Sequence, residues 1–232
     1  MSALPQGWSA ALGVHAPEAA RHALDCSCWR LRCDGVDLLF DAGAGLGPLP
    51  EPPQALFLTH GHADHSGGAA RLGVPTFAGA DTADWLDRGD AGRISLDRAI
   101  AAGVYPSDYR MRALAGIVAV RPGETRQFGP VAVTAVATPG HSADHVGWLV
   151  AHDGARILVG GDALFQGGTV VLQDIWDCSV PDTCETVRKI AALAPDAILP
   201  GHGAPMLGAA AQEAIGAAMA RVTRLLPPLM FQ

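Results

Sequence analysis

The stretch THGHADHSGG, from Thr59 to Gly68, places His60, His62, Asp64 and His65 within six positions. Neutral imidazole and carboxylate are the usual protein ligands of zinc and related divalent ions. Four such groups within one turn's reach point to metal-assisted chemistry with more than one ion. Three more candidates occur where apolar stretches end beside glycine: His141 in TPGHSADH, Asp162 in LVGGDALF and His202 in ILPGHG. Strands hold ligands rigidly, and glycine lets the backbone approach a crowded site. Seven ligands is the number two ions need when each takes three of its own and both share one carboxylate.

The elements that must position these groups follow from periodicity and turn residues. Residues 24–41 read as a hairpin, LDCSCWRLRC and VDLLFD around a turn at Asp34 and Gly35, ending in glycine-rich DAGAGLGPLPEPP. ALFLT, from Ala55 to Thr59, reads as a buried strand that delivers the histidine-rich stretch, and Ser66 to Leu72 as the first turns of a helix. VPTFAG from Val74 reads as a short strand, and DTADWLDRG as a helix capped by Asp81. The segment from Asp90 to Gly116 mixes helical pieces with Tyr105, Pro106 and Tyr109. From Ile117 the texture is that of a β meander: GIVAV, RQF, VAVTAVATPGH, HVGWLVA and RILVGGDAL. After the irregular QGGTVVLQDIWDCSV come a helix from Pro181 to Leu193, a strand DAILP leading into GHGAP, and an alanine-rich helix from about Leu207, followed by PPLMFQ. No low-complexity linker occurs, so the reading is one domain over residues 1–232, built of two αβ halves with a boundary near 110–117.

With 49% hydrophobic and 17% charged residues the chain can bury a substantial core, which excludes a disordered chain. A net charge of −7 without runs of like charge argues against a nucleic-acid surface or a polybasic membrane anchor. The expected partner is a small-molecule substrate, with no nucleic acid and no membrane; a homodimer is compatible with the sequence. The segment MSALPQGWSAALGVHAPEAARH has no charged stretch leading into an apolar one, and no run of eighteen apolar residues exists, which predicts a cytoplasmic protein. Cys26, Cys28, Cys33, Cys178 and Cys184 form an odd set without a CxxC pair, read as reduced, mostly buried thiols. Cys26 and Cys28 share a face of the expected strand, where a disulfide or metal pair is the alternative.

The ordered set HxHxDH, His, Asp, His, together with DAG ending at Gly43, TPGH, GDALF and LPGHG, resembles the metallo-β-lactamase superfamily, in particular its binuclear metallohydrolase branch related to glyoxalase II and the lactonases. The resemblance spans Leu24 to Gly203. It implies an α/β fold, a four-layer αββα sandwich with the metals at one edge between the two sheets. It also implies a first ion on His60, His62 and His141, a second on Asp64, His65 and His202, and Asp162 bridging them. The implied cofactors are two divalent ions, zinc ahead of iron or manganese. The implied reaction is hydrolysis of a small ester, thioester or lactone by a metal-bridging hydroxide, with Asp64 orienting the hydroxide or passing a proton. The alternative is an oxidoreductase similar to persulfide dioxygenases, with one iron on two histidines and an aspartate; QGGTVVLQD stands where that family carries a GRTDF-like phrase.

Other residues have weaker claims. The resemblance makes Asp41 a supporting rather than a ligating group. His145 is either a pocket or supporting group or a structural histidine. His15, His22 and His152 read as surface or packing residues. Tyr105, Tyr109, Arg110 and Arg112 are candidate substrate contacts or a solvated helical face. GDALFQGG and DAGAGLG lack the lysine of a phosphate loop and the spacing of a dinucleotide fingerprint.

Overall fold

The computed structural model describes residues 3–224 and 229–230. Met1 and Ser2 of the N-terminal segment, and Pro227, Pro228, Phe231 and Gln232 of the PPLMFQ tail, lie outside the described residues. By its internal contacts the chain divides into two compact units, one made of Gly7–Cys33 and Asp37–Val120, the other chiefly of residues from Arg121 onward. Among the described residues no helix is long and apolar enough to cross a membrane.

The first unit is a six-stranded mixed sheet with helices. Its strands are β1 (Trp8–Leu12), β2 (Cys28–Cys33), β3 (Val36–Phe40), β4 (Ala55–Phe57), β5 (Thr76–Gly79) and β6 (Val118–Val120), neighbours in that order. β1 and β2 are antiparallel, whereas β3, β4, β5 and β6 run parallel. The β2–β3 turn has Asp34 at φ 48° and Gly35 at φ 76°, the left-handed pair of a tight hairpin. Parallel strands need crossovers: α1 (Ala63–Ser66) and α2 (Ala69–Leu72) lie in the β4–β5 crossover, α3 (Ala80–Arg88) and α4 (Leu96–Ala101) in the β5–β6 one, and residues 41–54 join β3 to β4 without a helix.

Side chains alternate across these strands. Leu39, Leu56, Leu58 and Ala78 pack with Trp85 and Leu86 of α3 in one buried cluster, each fully buried leucine contributing about 1.5–3 kcal/mol. Phe40, Phe57 and Phe77, which are cross-strand register partners, stack with centroids 5.2 and 5.0 Å apart, and Trp8 extends the row at 5.5 Å from Phe40.

The second unit contains the meander of β7 (Thr125–Phe128), β8 (Val131–Ala137), β9 (Val146–His152) and β10 (Ala155–Gly161), antiparallel throughout. β12 (Ala197–Pro200) joins β10 in parallel, and β13 (Met206–Leu207) closes that edge. Two short strands, β11 (Thr169–Val170) and β14 (Leu229–Met230), pair separately. Helix α5 (Val180–Leu193) begins where Ser179 Oγ accepts the Asp182 N–H at 3.3 Å and Pro181 occupies the first turn, both strong start signals. Helix α6 (Ala209–Thr223) buries Ala211, Ala214, Ile215, Ala218 and Val222, the single stripe expected of an amphipathic helix.

The structure corrects four local readings. The helix expected over 66–72 is two single turns, α1 and α2, separated at Gly67 and Gly68, where the Gly68 N–H donates to the Gly43 carbonyl at 2.9 Å instead of to a carbonyl of α1. Helix α3 starts after Gly79, so Asp81 sits in its first turn rather than capping it. GIVAV does not open the meander; β6 pairs with β5 in the first sheet. β1, absent from the sequence reading, pairs with β2 as an edge strand. None of the five cysteines is in a disulfide; Cys26 and Cys28 are buried and the other three half-buried.

Candidate metal centre

In the first unit the parallel sheet delivers the donors. Chain leaving β4 reaches Thr59 and His60, His62 caps α1, and Asp64 and His65 lie on α1 itself. The loop is stapled on several sides. Ser66 Oγ lies within hydrogen-bonding reach of the carbonyls of Gly61 and His62, at 2.9 and 3.0 Å. The Ala42 N–H donates to the His65 carbonyl at 2.7 Å, and the Cys26 N–H to the Asp64 carbonyl at 3.3 Å.

Asp41, with φ 60°, organises the ring nitrogens. Its carboxylate accepts the Thr59 N–H at 2.8 Å and the Thr59 hydroxyl at 2.9 Å, so the hydroxyl proton is committed. Thr59 Oγ1 must then accept from His60 Nδ1, 3.0 Å away. His65 Nδ1 donates directly to Asp41 Oδ2 at 2.8 Å. Both imidazoles are thereby held in the tautomer whose Nε2 carries a lone pair, the form that binds a cation. His60 Nε2 converges on His62 Nδ1 at 3.0 Å, and His65 Nε2 lies 3.6 Å from Asp64 Oδ2. The four residues thus form two donor pairs, and the His60 and His65 rings are 4.2 Å apart.

The second unit carries its own group. His141 follows β8, Asp162 follows β10 and His202 follows β12. Asp162 Oδ2 is 3.5 Å from His141 Nε2 and also 3.5 Å from His202 Nε2. His141 Nδ1 lies 3.4 Å from the Val171 carbonyl, which can only accept and so leaves Nε2 as the donor atom for a metal. His145 is not a ligand in this arrangement, because both its ring nitrogens are engaged. Nδ1 pairs with Thr138 Oγ1 at 2.8 Å, and Nε2 accepts the Asp162 N–H at 3.1 Å. Gly140, at φ 134°, permits the turn into His141; a Cβ there would lie 2.6 Å from Thr183 Cα.

Each group fits divalent ions on the chemistry of its donors: imidazole nitrogens, those of His60, His65 and His141 buried and held in fixed tautomers, converge with carboxylate oxygens at spacings that a cation could bridge. The other residues singled out fall elsewhere. His15 stacks on Trp29, His22 Nδ1 accepts the Leu24 N–H at 3.3 Å, and His152 Nε2 pairs with Asp34 at 3.0 Å. The Cys26 and Cys28 sulfurs are 3.6 Å apart, and burial pushes both thiols up, which disfavours thiolate ligation.

Tyr105 and Tyr109 are buried outside any helix, contrary to the solvated-face reading. Their rings stack at 4.9 Å; the Tyr105 hydroxyl donates to Asp64 Oδ1 at 3.4 Å and that of Tyr109 to the Ala44 carbonyl at 2.6 Å. Burial holds the Tyr105 phenol above its ordinary range, so it acts as a donor and not as a base. Thr59 reads in the sequence only as a strand end; its role comes from its place between Asp41 and His60, which the pairing of β3 with β4 creates and no local signal marks.

A family model for the metallo-beta-lactamase superfamily matches residues 24–202. The chain belongs to the metallo-β-lactamase superfamily. It has that superfamily's α/β fold, with two mixed sheets and helices, and is one of its metal-dependent hydrolases. It is similar to the probable metallo-hydrolase YqgX of Bacillus subtilis (strain 168), at 27% identity over 161 residues, covering 62% of this chain and 69% of that protein. It is also similar to the acyl-coenzyme A thioesterase MBLAC2 of Bos taurus, at 26% over 205 residues, covering 75% and 71%. An archaeal metallo-beta-lactamase superfamily protein from Sulfolobus tokodaii shares the fold at a TM-score of 0.71 and 19% identity, over 92% of this chain and 86% of that one.

Proposed function

We propose that this metallohydrolase is binuclear and cleaves a small carbonyl ester, thioester or lactone. His60, His62 and His141 would hold one ion, Asp64, His65 and His202 the second, and Asp162 both. The observation that carries the reading is the equal 3.5 Å separation of Asp162 Oδ2 from His141 Nε2 and from His202 Nε2. A carboxylate at equal distance from two imidazoles that would hold different ions could serve both.

When bound, two divalent ions supply an activated water and an electrophile for the substrate carbonyl. The chain's own residues do the remaining work. Asp41 and Thr59 fix the tautomers of His60 and His65, and His145 fixes the backbone at Asp162. Asp64, which accepts from the Tyr105 hydroxyl, would orient the water or pass a proton to the leaving group. Water adds to the acyl carbon, the bond to sulfur or oxygen breaks, and the thiol or alcohol leaves with a proton. Thioesters rank first among the substrates because the bovine relative is named an acyl-coenzyme A thioesterase.

Metal analysis of protein purified without chelator, followed by a panel of esters, thioesters and lactones, tests this. About two equivalents of zinc or a similar ion and turnover of at least one class are expected. One iron per chain with oxygen consumption on a persulfide would replace the reading with the dioxygenase one.

A further inference from the structure

The first unit contains a cavity of about 320 Å³ whose wall includes Gly45, Gly67, Tyr109, Arg71, Arg110 and Arg112. This is the size range of small-molecule sites. Asp108 is the carboxylate on its wall, leaving an excess of two positive charges there. In a chain with 23 acidic and 16 basic residues, arginine readily finds a carboxylate. Arg30 and Arg32 do so at Asp37, Arg88 at Asp84 and Arg188 at Glu185.

Among the described residues Arg71, Arg110 and Arg112 make no such ion pair. Arg71 Nη1 donates to the Gly45 and Gly47 carbonyls, and Arg110 Nη1 to those of Ser107 and Tyr109 at 3.0 and 2.7 Å. The rest of each planar fork remains for another acceptor. Like charges gathered around one cavity repel unless an anion offsets them, and the guanidinium fork matches phosphate oxygens in pairs.

The cavity adjoins the donor loop. Gly67 lies two residues beyond His65, and the Tyr109 ring stacks on Tyr105, whose hydroxyl meets Asp64.

We propose that this cavity binds a phosphate group carried on the leaving portion of the substrate, with Arg71, Arg110 and Arg112 as specificity-determining residues. The substrate class is thereby an acyl ester or thioester of a phosphorylated alcohol or thiol. The proposal rests on the hydrolase reading above and adds to it the part of the substrate that is recognised at a distance from the scissile bond.

Two arms test it on the metal-loaded protein. In the first, inorganic pyrophosphate is titrated calorimetrically. Saturable binding is expected, weakened roughly tenfold in Arg112→Ala and further in Arg110→Gln combined with Arg112→Ala, with unchanged melting temperatures showing that the variants fold. Binding that is absent from the unaltered protein, or unchanged in the double variant, overturns the proposal. Equal competition by citrate overturns the assignment to phosphate.

In the second arm, kcat/KM is compared for acetyl-coenzyme A and S-acetyl-N-acetylcysteamine, which share an acyl group and differ in phosphate. The ratio should favour the phosphorylated thioester and fall about tenfold in the double variant, through KM, while Arg88→Ala leaves it unchanged. A ratio near one in the unaltered protein, or insensitive to the arginines, overturns the subsite and leaves the hydrolase reading standing. No turnover of either thioester, with arginine-dependent pyrophosphate binding, sinks the thioesterase reading and supports the subsite.

Discussion

His65 Nδ1 lies 2.8 Å from Asp41 Oδ2, and the same carboxylate reaches His60 through the Thr59 hydroxyl. One buried carboxylate therefore fixes the ring tautomers of two histidines.

Replacing it should show that influence directly. Asp41→Asn keeps the shape and tolerates the left-handed backbone, but it cannot accept from Thr59 and His65 together. Metal affinity is expected to fall about 10- to 100-fold, read by competition with a chromogenic chelator, while Thr59→Val should give a smaller loss. Unchanged affinity in Asp41→Asn would mean that the tautomers are set by other contacts.

His145 tests the same logic at Asp162. Its Nε2 accepts the Asp162 N–H at 3.1 Å, so His145→Ala should leave a buried donor unmet and let that backbone shift. Reduced kcat with the full metal complement is expected, by metal analysis and kinetics on the same sample. Loss of one whole equivalent of metal would instead make His145 a ligand.

Gly140→Ala should be more damaging than its size suggests. The backbone at φ 134° is strained for alanine, and the new methyl would lie 2.6 Å from Thr183 Cα. A loss of about 1–3 kcal/mol or more in denaturant unfolding is expected, with weaker metal binding as His141 is displaced. Ser142→Ala in the same turn, free of that backbone constraint, should be milder.

A pH effect comes from Asp37, far from the donors. Hydrogen bonding from Arg30 and, more weakly, from Arg32 outweighs partial burial and lowers its pKa below the ordinary carboxylate value. A carboxylate lowered on folding adds stability above its unfolded pKa and loses it as pH falls through the folded one. Thermal stability should therefore decline below about pH 4, and Asp37→Asn should flatten that acid limb while lowering stability at neutral pH. An acid limb of the same steepness in the variant would place its origin in other carboxylates.

Much of this was legible in the sequence because the decisive residues are neighbours there. HxHxDH compresses four donors into one loop, and Ser179 with Pro181 marks the start of α5 by local chemistry alone. What escaped depends on strands meeting across long intervals. Asp41 finds Thr59 and His65 only because β3 and β4 run parallel in register, and Tyr105 reaches Asp64 over 41 residues. The break between α1 and α2 comes where the Gly68 N–H turns to the Gly43 carbonyl, a tertiary contact that periodicity does not encode. β1, WSAAL, has none of the β-branched residues that would have marked it, and it is a strand because β2 offers an edge.

The row of rings from Trp8 through Phe40 and Phe57 to Phe77 spans the first sheet at 5.0–5.5 Å spacings. Rings so close couple their electronic transitions, and a slip of one residue would turn each ring to the opposite face. The near-ultraviolet circular dichroism of the folded chain therefore carries an intrinsic optical signature of strand register.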